Sequence, residues 1–343
     1  MVPPLDRQEP GDDLKPARAA LAGSLALLLG AAGVWLWLSR EEAGPAPVAG
    51  TPSAAAGGAA VGQVPAPWAP LPPPGQPLRL VAADLRARAD RGDARAACRL
   101  AAEAMHCDGA WLAAREAERS AQRVLAHVAK MPVDAGTRER VRGQQAAAEA
   151  NLAATEARCG RVDPLDPAER VHYWRQAALA GHPAAMRHYA VGNAFRWRDV
   201  VEVAPQLDIY RREAESVATR AARAGDLDLA IALGLAYLGT RDDPAWRPFL
   251  AQVLRPDPAR ALAWLQAARA HPAVVALPPG HALRERLDAG LEEAAGQLPL
   301  DKPVPAPEAL PVLAGVVPRA DPRNGGIGDI DPTACDAELL RRH

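Results

Sequence analysis

Two stretches of the chain share one small-residue pattern: Ala177-Ala178-Leu179-Ala180-Gly181 and, 44 residues later, Ala221-Ala222-Arg223-Ala224-Gly225. Each glycine is followed by a second helical stretch, which begins at His182 in one copy and at Asp226 in the other. Because glycine commonly ends a helix, each copy has the pattern of a helix, a glycine turn and a second helix. The repetition of this unit predicts an all-α fold of stacked helix pairs.

The same register recurs on both sides of these two copies. Gly92 ends an earlier helical stretch that starts at Leu78, and Asp93 is well placed to cap the next helix. Farther along, an Ala-Ala pair precedes His271, which stands where the glycine would be. The turn positions are 89, 44 and 46 residues apart, so the first interval is about two units long. Large and small residues recur at fixed distances from each turn, and the residues predicted to form the repeat core are Leu100, Trp174, Ala178, Gly181, Tyr189, Ala222, Gly225, Leu233, Gly234, Tyr237 and Trp264.

This pattern resembles the Sel-one-like repeats, a family related to the tetratricopeptide repeats. The first helix of the family's unit has an aromatic residue and an Ala-Ala-x-x-Gly motif, as in the segment from Trp174 to Gly181. The second helix has Leu-Gly and Tyr, as at Leu233, Gly234 and Tyr237. The sequence departs from the pattern at His271 and in the long first interval. Over about half of the chain, the resemblance implies an α/α solenoid that acts as a protein-binding scaffold.

Proline divides the chain into segments. Most of the 34 prolines lie between Ala43 and Pro77 or after Leu298. Residues 39–77 contain mainly Pro, Ala and Gly with almost no charge, a composition typical of a linker because it buries too little apolar surface to offset the entropy of ordering. We therefore predict one helical-repeat domain over residues 78–298 and a Pro-rich tail over residues 299–343. The tail is predicted to run over the surface, with Ala309 to Val317 docked on the last helix pair as a cap.

One apolar run, Ala19 to Leu38, contains no charged residue. Its length suits a helix that crosses a ~30 Å hydrocarbon core, and Trp35 and Trp37 fall where an interfacial aromatic belt would lie. Basic residues are concentrated in residues 1–18. The positive-inside rule thus predicts a short cytoplasmic N-terminus, a transmembrane helix over residues 19–38 and a periplasmic repeat domain anchored in the inner membrane of a bacterium. The alternative is a cleaved signal peptide, whose apolar region is shorter.

A helical hairpin is predicted within the long first interval, over about residues 109–158. Residues 111–130 and 134–158 are rich in Ala, Glu, Arg and Gln, and they are joined by Met131-Pro132-Val133. An antiparallel hairpin brings its two ends together, so we predict a disulfide between Cys107 and Cys159. In one continuous helix, Cys98 would lie ~13 Å from Cys107, too far for a bridge. The states of Cys98 and Cys335 are left unassigned.

No motif predicts catalysis, a cofactor or a metal site. The chain has no phosphate-binding glycine loop of the Walker type, no GxSxG elbow and no HExxH helix. The cysteines include no CxxC pair, and His182 and His188 are six residues apart, so they do not share one helical face. A formal net charge of −1 provides no electrostatic footprint for nucleic acid. We therefore predict no catalytic residue, no metal ligand, no cofactor and no nucleic-acid partner.

One short segment has the composition of an interaction site. Phe195, Arg196, Trp197 and Arg198 follow a repeat helix, and aromatic and arginine side chains are enriched at interface hot spots. These four are the candidate partner-binding residues. The alternative, which we favour, is that Phe195 and Trp197 pack under the following loop.

These features together predict a membrane-anchored scaffold that binds another protein and is not an enzyme. The alternative is a cell-envelope enzyme, such as a hydrolase, with a site assembled from His and acidic residues on separate repeats. An enzyme predicts a deep pocket with converging titratable groups, whereas a scaffold predicts a shallow groove lined by Arg, Tyr and Trp. A third interpretation is purely structural, with the repeats stabilising a larger membrane complex.

Overall fold

The computed structural model describes residues 68–160, 165–239, 249–299, 301, 303, 305–313 and 331–340. All regular elements within these residues are helical, and no strand occurs among them. The predicted transmembrane helix over residues 19–38 and the cytoplasmic N-terminus lie outside the described residues, as does the linker before Trp68. None of the described helices combines the length and the hydropathy that a membrane span requires.

The described residues form eleven α-helices. They are α1 (Leu78–Asp90), α2 (Ala94–Val128), α3 (Ala135–Cys159), α4 (Pro167–Leu179), α5 (Pro183–Ala190), α6 (Ala204–Arg223), α7 (Leu227–Leu238), α8 (Phe249–Val253), α9 (Pro258–Ala270), α10 (Pro272–Val275) and α11 (Ala282–Gln297). Neighbouring helices pack against one another from α1 to α3, from α4 to α8, and at α9 and α10. Alternate helices also touch, because α2 contacts α4, α4 contacts α6, and α7 contacts α9. The result is a succession of helix pairs packed in chain order.

Glycine turns join the two helices of successive pairs. Gly92, Gly181 and Gly225 have φ angles of +97°, +93° and +103°, in the left-handed region that glycine tolerates best. The next N–H then bonds back to the preceding helix, as from Asp226 to the Ala221 carbonyl at 3.0 Å. The same residue begins the next helix as its N-cap. These capping residues are Asp93, His182 and Asp226.

His271 does not replace the turn glycine, as the sequence register suggested. It ends α9 and also caps α10, where its Nδ1 accepts the N–H of Ala273 at 3.2 Å. Its φ of −61° needs no left-handed residue. The capping residue follows the Ala-Ala pair one position earlier here than in the glycine turns, so His271 corresponds to the capping residue His182 and not to Gly181.

The first arm of the predicted hairpin does not begin at about residue 109 as expected. Helix α2 continues for 35 residues from Ala94 to Val128, so the second helix of the first pair is itself the first arm of the hairpin. It contains no proline, and its one glycine, Gly109, does not end a helix of this length. The second arm, α3, begins after Asp134 and ends at Cys159. The disulfide between Cys107 and Cys159, with 5.5 Å between the Cα atoms, joins this arm to α2 as predicted.

All of the residues predicted to form the repeat core are buried. Small residues allow adjacent helices to approach closely, as at Gly234 of α7, which faces Leu265 of α9. A Cβ atom added to Gly234 would lie 2.7 Å from the Leu265 Cγ. The largest buried side chains fill the space between the pairs, and the rings of Tyr189 and Tyr210 pack edge to face with centroids 5.5 Å apart.

Replacing Gly181 by Ala is expected to lower the free energy of unfolding by about 1–2 kcal/mol, because a side chain is strained in the left-handed region. The added Cβ would also lie 3.2 Å from the carbonyl oxygen of Leu340. The free energy of unfolding is expected to increase in Gly143→Ala within α3, where an added Cβ meets no atom within 4 Å. The increase should be about 0.5–1 kcal/mol, because alanine has a higher helix propensity than glycine. Urea unfolding measures both free energies, and a change of the same sign in the two variants would contradict this account of the turn.

Candidate partner-binding surface

The C-terminal tail, here the described residues 305–313 and 331–340, lies along the turns of the helix pairs. The Glu308 N–H donates to the Ala263 carbonyl at 3.1 Å, and the Leu340 N–H donates to the Gly181 carbonyl at 2.9 Å. Leu313 packs on Gly225, where an added Cβ would lie 2.7 Å from the Leu313 Cγ. We call the surface formed by the turns at Gly92, Gly181 and Gly225 the turn edge. The tail contacts the turn edge through the main-chain hydrogen bond at Gly181 and through leucine side chains, and it contacts helix α9 at Ala263.

A disulfide between Cys98 and Cys335 attaches the tail to the first helix pair, with the Cα atoms 5.5 Å apart. Cys335 belongs to a 3-10 turn, Pro332–Asp336, whose Pro332 carbonyl accepts a hydrogen bond from Arg99 at 2.9 Å. The ring of His182 lies beside this turn, with its Nε2 3.0 Å from the Cys335 carbonyl. The sequence alone left this disulfide unassigned. The available signal was that Cys98 and Cys335 remain once the hairpin pair is assigned, but they are 237 residues apart.

The tail was expected to wander over the surface, with residues 309–317 capping the last helix pair. Instead, the described residues 305–313 run from α9 to Gly225, which belongs to the preceding pair. Residues 314–317 lie outside the described residues. The difference has a physical cause, because the absence of a side chain at Gly225 leaves a space that Leu313 fills.

The end of the predicted linker also packs beside the turn edge. The Arg88 guanidinium donates to the carbonyls of Ala69 at 2.6 Å and Pro70 at 3.0 Å. It also pairs with Asp93 at 2.6 Å, so its buried charge is neutralised. Proline-rich backbone forms no internal hydrogen bonds, which leaves its carbonyls free to accept from such a donor. The linker was predicted over residues 39–77, but residues 68–77 belong to the folded domain.

A groove of about 880 Å³ lies between the tail, the α4–α5 turn and helix α6. Leu179, Ala180 and Leu340 provide apolar lining. The residues of α6 that line it recur every three or four positions and therefore share one face of the helix. They are Arg212, Glu215, Ser216, Thr219, Arg220 and Arg223. The other face of α6 is buried against its neighbours.

The two aromatic residues of the candidate segment 195–198 have different surroundings. Phe195 is buried and packs on Tyr210 with ring centroids 5.0 Å apart. Trp197 is 61% exposed, although one face of its indole stacks on Phe249 at 5.1 Å. The packing interpretation thus describes Phe195, whereas Trp197 presents a large apolar surface to solvent.

The two arginines of the segment hold it against helix α2. Arg196 donates to the Met105 carbonyl at 2.9 Å, and both Arg196 and Arg198 pair with Asp108. Arg198 also lies 3.4 Å from the carboxylate of Asp199. Asp199 also pairs with Arg170, so these ion pairs neutralise only part of the positive charge that the sequence alone assigned to an interaction site.

Histidine is the side chain that most often binds metals, and three histidines of the region from α4 to α5 lie in separate surroundings. His172 is exposed, His182 faces the Cys335 carbonyl, and His188 lines a cavity of about 390 Å³ between α2, α4 and α5. The His188 ring packs on Trp174 at 4.2 Å, and complete burial lowers its pKa to about 3. His188 is therefore neutral at physiological pH. Within the described residues, no three His, Cys, Asp or Glu side chains are arranged to bind a metal ion.

Acid is expected to destabilise the protein through His188. Its pKa of about 3 in the folded state lies below the ordinary value of 6.5, so the unfolded chain binds this proton more readily. The contribution is fully present above about pH 6.5, and about 2 kcal/mol of it should be lost by pH 5. Urea unfolding above pH 6.5 and at pH 5 should show that the free energy of unfolding depends less on pH in His188→Gln than in the wild type. The exposed His127→Gln should behave like the wild type, and an unchanged pH dependence in His188→Gln would contradict the assignment.

No protein-family model matches the chain, and comparisons with curated proteins and with solved structures find no match. The described residues themselves define the class. It is an all-α protein of successively packed helix pairs, with two disulfides and a tail attached to the turn edge.

Proposed function

We propose that the chain is a membrane-anchored scaffold of the Sel-one-like, tetratricopeptide-related type, and that its helix pairs form an α/α solenoid that binds another protein. Three features support the repeat assignment. The turns at Gly92, Gly181 and Gly225 share one backbone geometry, their following residues share one capping role, and the recurring large and small residues are buried. Solenoids commonly present long surfaces to protein partners.

The observation that carries the binding function is that the turn edge already holds the tail, whose described residues form no α-helix or strand and only one 3-10 turn. The tail is bound by main-chain hydrogen bonds at Gly181 and Ala263 and by Leu313 at Gly225. Main-chain hydrogen bonds with side chains in adjacent depressions are the usual means by which proteins bind extended peptides. A partner segment can use the same chemistry on the part of this surface that the tail leaves open, which is the groove along α6.

The two disulfides support an extracytoplasmic location for the domain. Both join cysteines that are far apart in the chain, and disulfides persist mainly in oxidising compartments such as the periplasm. We place the repeat domain in the periplasm, anchored in the inner membrane through residues 19–38. A periplasmic reporter fused after Pro77 should be active, and an inactive fusion would overturn this topology.

Site-specific photo-crosslinking in cells tests the scaffold function. A photoreactive amino acid replaces Thr219, which lines the groove, and in a matched strain it replaces Val124, an exposed residue of α2 remote in sequence from the groove. We expect one protein to be captured reproducibly from position 219 and not from position 124. Capture of no reproducible protein from position 219 would overturn the proposal.

A further inference from the structure

We propose that the groove along α6 binds an acidic segment of the partner protein. The inference rests on the proposed scaffold function and adds the chemistry of the ligand. The groove combines apolar lining from Leu179, Ala180 and Leu340 with three arginines on one face of α6. A ligand that fits both parts has apolar residues between carboxylates.

The charges that line the groove favour an anionic ligand. Glu215 is the one acidic residue in the lining, and its carboxylate is already engaged, since it accepts a hydrogen bond from Tyr237 at 2.7 Å and pairs with Arg260. Arg220 donates to the main-chain carbonyl of Ala178 at 2.7 Å, which leaves its charge uncompensated. Within the described part of the chain, no carboxylate lies within ion-pair distance of Arg212 or Arg220. The groove is therefore positive.

The tail shows how one of these arginines binds a carboxylate. Arg223, the last residue of α6, donates to both carboxylate oxygens of Glu308, at 3.2 and 3.4 Å. Glu308 belongs to a segment without helix or strand, and its own N–H is bound to the Ala263 carbonyl. Charge-assisted contacts between arginine and carboxylate are among the stronger hydrogen bonds in proteins. We infer that Arg212 and Arg220 bind carboxylates of a partner as Arg223 binds Glu308.

The spacing of the arginines predicts the spacing of the acidic residues. Arg212 and Arg220 are eight residues apart on α6, which corresponds to about 12 Å along the helix axis. An extended peptide covers that distance in about four residues. A ligand with Asp or Glu at positions i and i+4 therefore matches both arginines, and the residues between them lie over the apolar lining.

Fluorescence anisotropy with the full-length chain tests the proposal. The probe is a labelled peptide pool of about ten residues, with glutamate at i and i+4 and mixed Ala, Leu, Ser and Gly elsewhere, long enough to span the groove. A matched pool has glutamine at i and i+4. We expect the glutamate pool to bind about tenfold more tightly, and Arg212→Glu to remove that preference.

The matched control is Arg211→Glu. Arg211 also lies on α6, and its replacement changes the net charge by the same amount as Arg212→Glu. Arg211 pairs with Asp208, however, and does not line the groove. It should leave the preference for glutamate within about twofold of the wild type. Equal binding of the two pools, or equal loss in both variants, would overturn the proposal. So would binding of vesicles of anionic lipid that depends on Arg212 while neither pool binds.

The failure of this inference is distinguishable from the failure of the scaffold function. If a partner is captured from position 219 but the glutamate pool is not preferred, the scaffold function is supported and the acidic ligand is contradicted. If no partner is captured, the scaffold function is contradicted, whatever the peptides show.

Discussion

Replacing Cys98 and Cys335 together by Ala is expected to lower the free energy of unfolding by about 3–4 kcal/mol and to release the tail. The disulfide closes a loop between residues 237 positions apart, and opening it returns that conformational freedom to the unfolded chain. In the folded state the change removes the covalent link between the tail and α2. The polar contacts that still hold the 3-10 turn are those of Arg99 with the Pro332 carbonyl and the Asp336 carboxylate, at 2.9 and 3.2 Å, and that of His182 with the Cys335 carbonyl.

The matched control is the double replacement of Cys107 and Cys159, which opens a loop between residues 52 positions apart. The loop-entropy argument gives a cost about 1 kcal/mol smaller for this pair. Guanidinium unfolding without reductant measures both losses, and limited proteolysis reports on the tail. Rapid cleavage of the tail is expected only in the variant that lacks Cys98 and Cys335. The variant that lacks Cys107 and Cys159 should keep its tail protected. A tail that resists cleavage equally in both variants would show that noncovalent contacts are sufficient to hold it.

Replacing Trp174 by Ala is expected to cost about 3–5 kcal/mol of unfolding free energy. The indole has no exposed surface, packs on His188 at 4.2 Å and lies between α2 and α5. Its Nε1 points at the Met105 sulfur at 3.0 Å. Truncation leaves a large cavity at the contact between the first two helix pairs, so partial unfolding of α1 and α2 is expected at denaturant concentrations that the wild type tolerates.

Trp197 offers a comparison with the same residue type in a different environment. It is 61% exposed, and one face of its indole stacks on Phe249. Trp197→Ala should therefore cost less than about 1 kcal/mol. Thermal and guanidinium unfolding of the two variants measure the difference. Comparable losses would mean that the burial of Trp174 does not dominate the contact between pairs. A normal stability of Trp197→Ala with loss of partner crosslinking would assign Trp197 to the interface.

The helix pairs could be predicted because their signals are local. A glycine with positive φ ends a helix, the next residue caps the following one, and both effects act within a few residues. The exception at His271 has the same origin. A histidine can cap a helix without a left-handed residue before it. Counting from the Ala-Ala pair therefore aligned His271 with the turn glycine, although it is the capping residue. The continuity of α2 through Gly109 was missed because one glycine weakens a long helix without ending it.

The candidate interaction site could not be predicted in the same way. The segment 195–198 has the composition of a hot spot, but both of its arginines form ion pairs with Asp108, a residue about 90 positions earlier in the chain. The arginines of the α6 groove carried no signal in the sequence, because an arginine-rich helix face is ordinary until it is known which face is buried and which carboxylates lie nearby.

The sequence by itself determined the all-α class, the positions of the three glycine turns and the closure of the hairpin by Cys107 and Cys159. Each of these follows from backbone preferences or from a spacing that one hairpin imposes. Only the tertiary structure decided that Cys98 meets Cys335, that the tail and the end of the linker lie along the turns, and that α6 leaves a positive groove beside them. These are contacts between residues up to 237 positions apart. They depend on how the helix pairs pack, which no local pattern encodes.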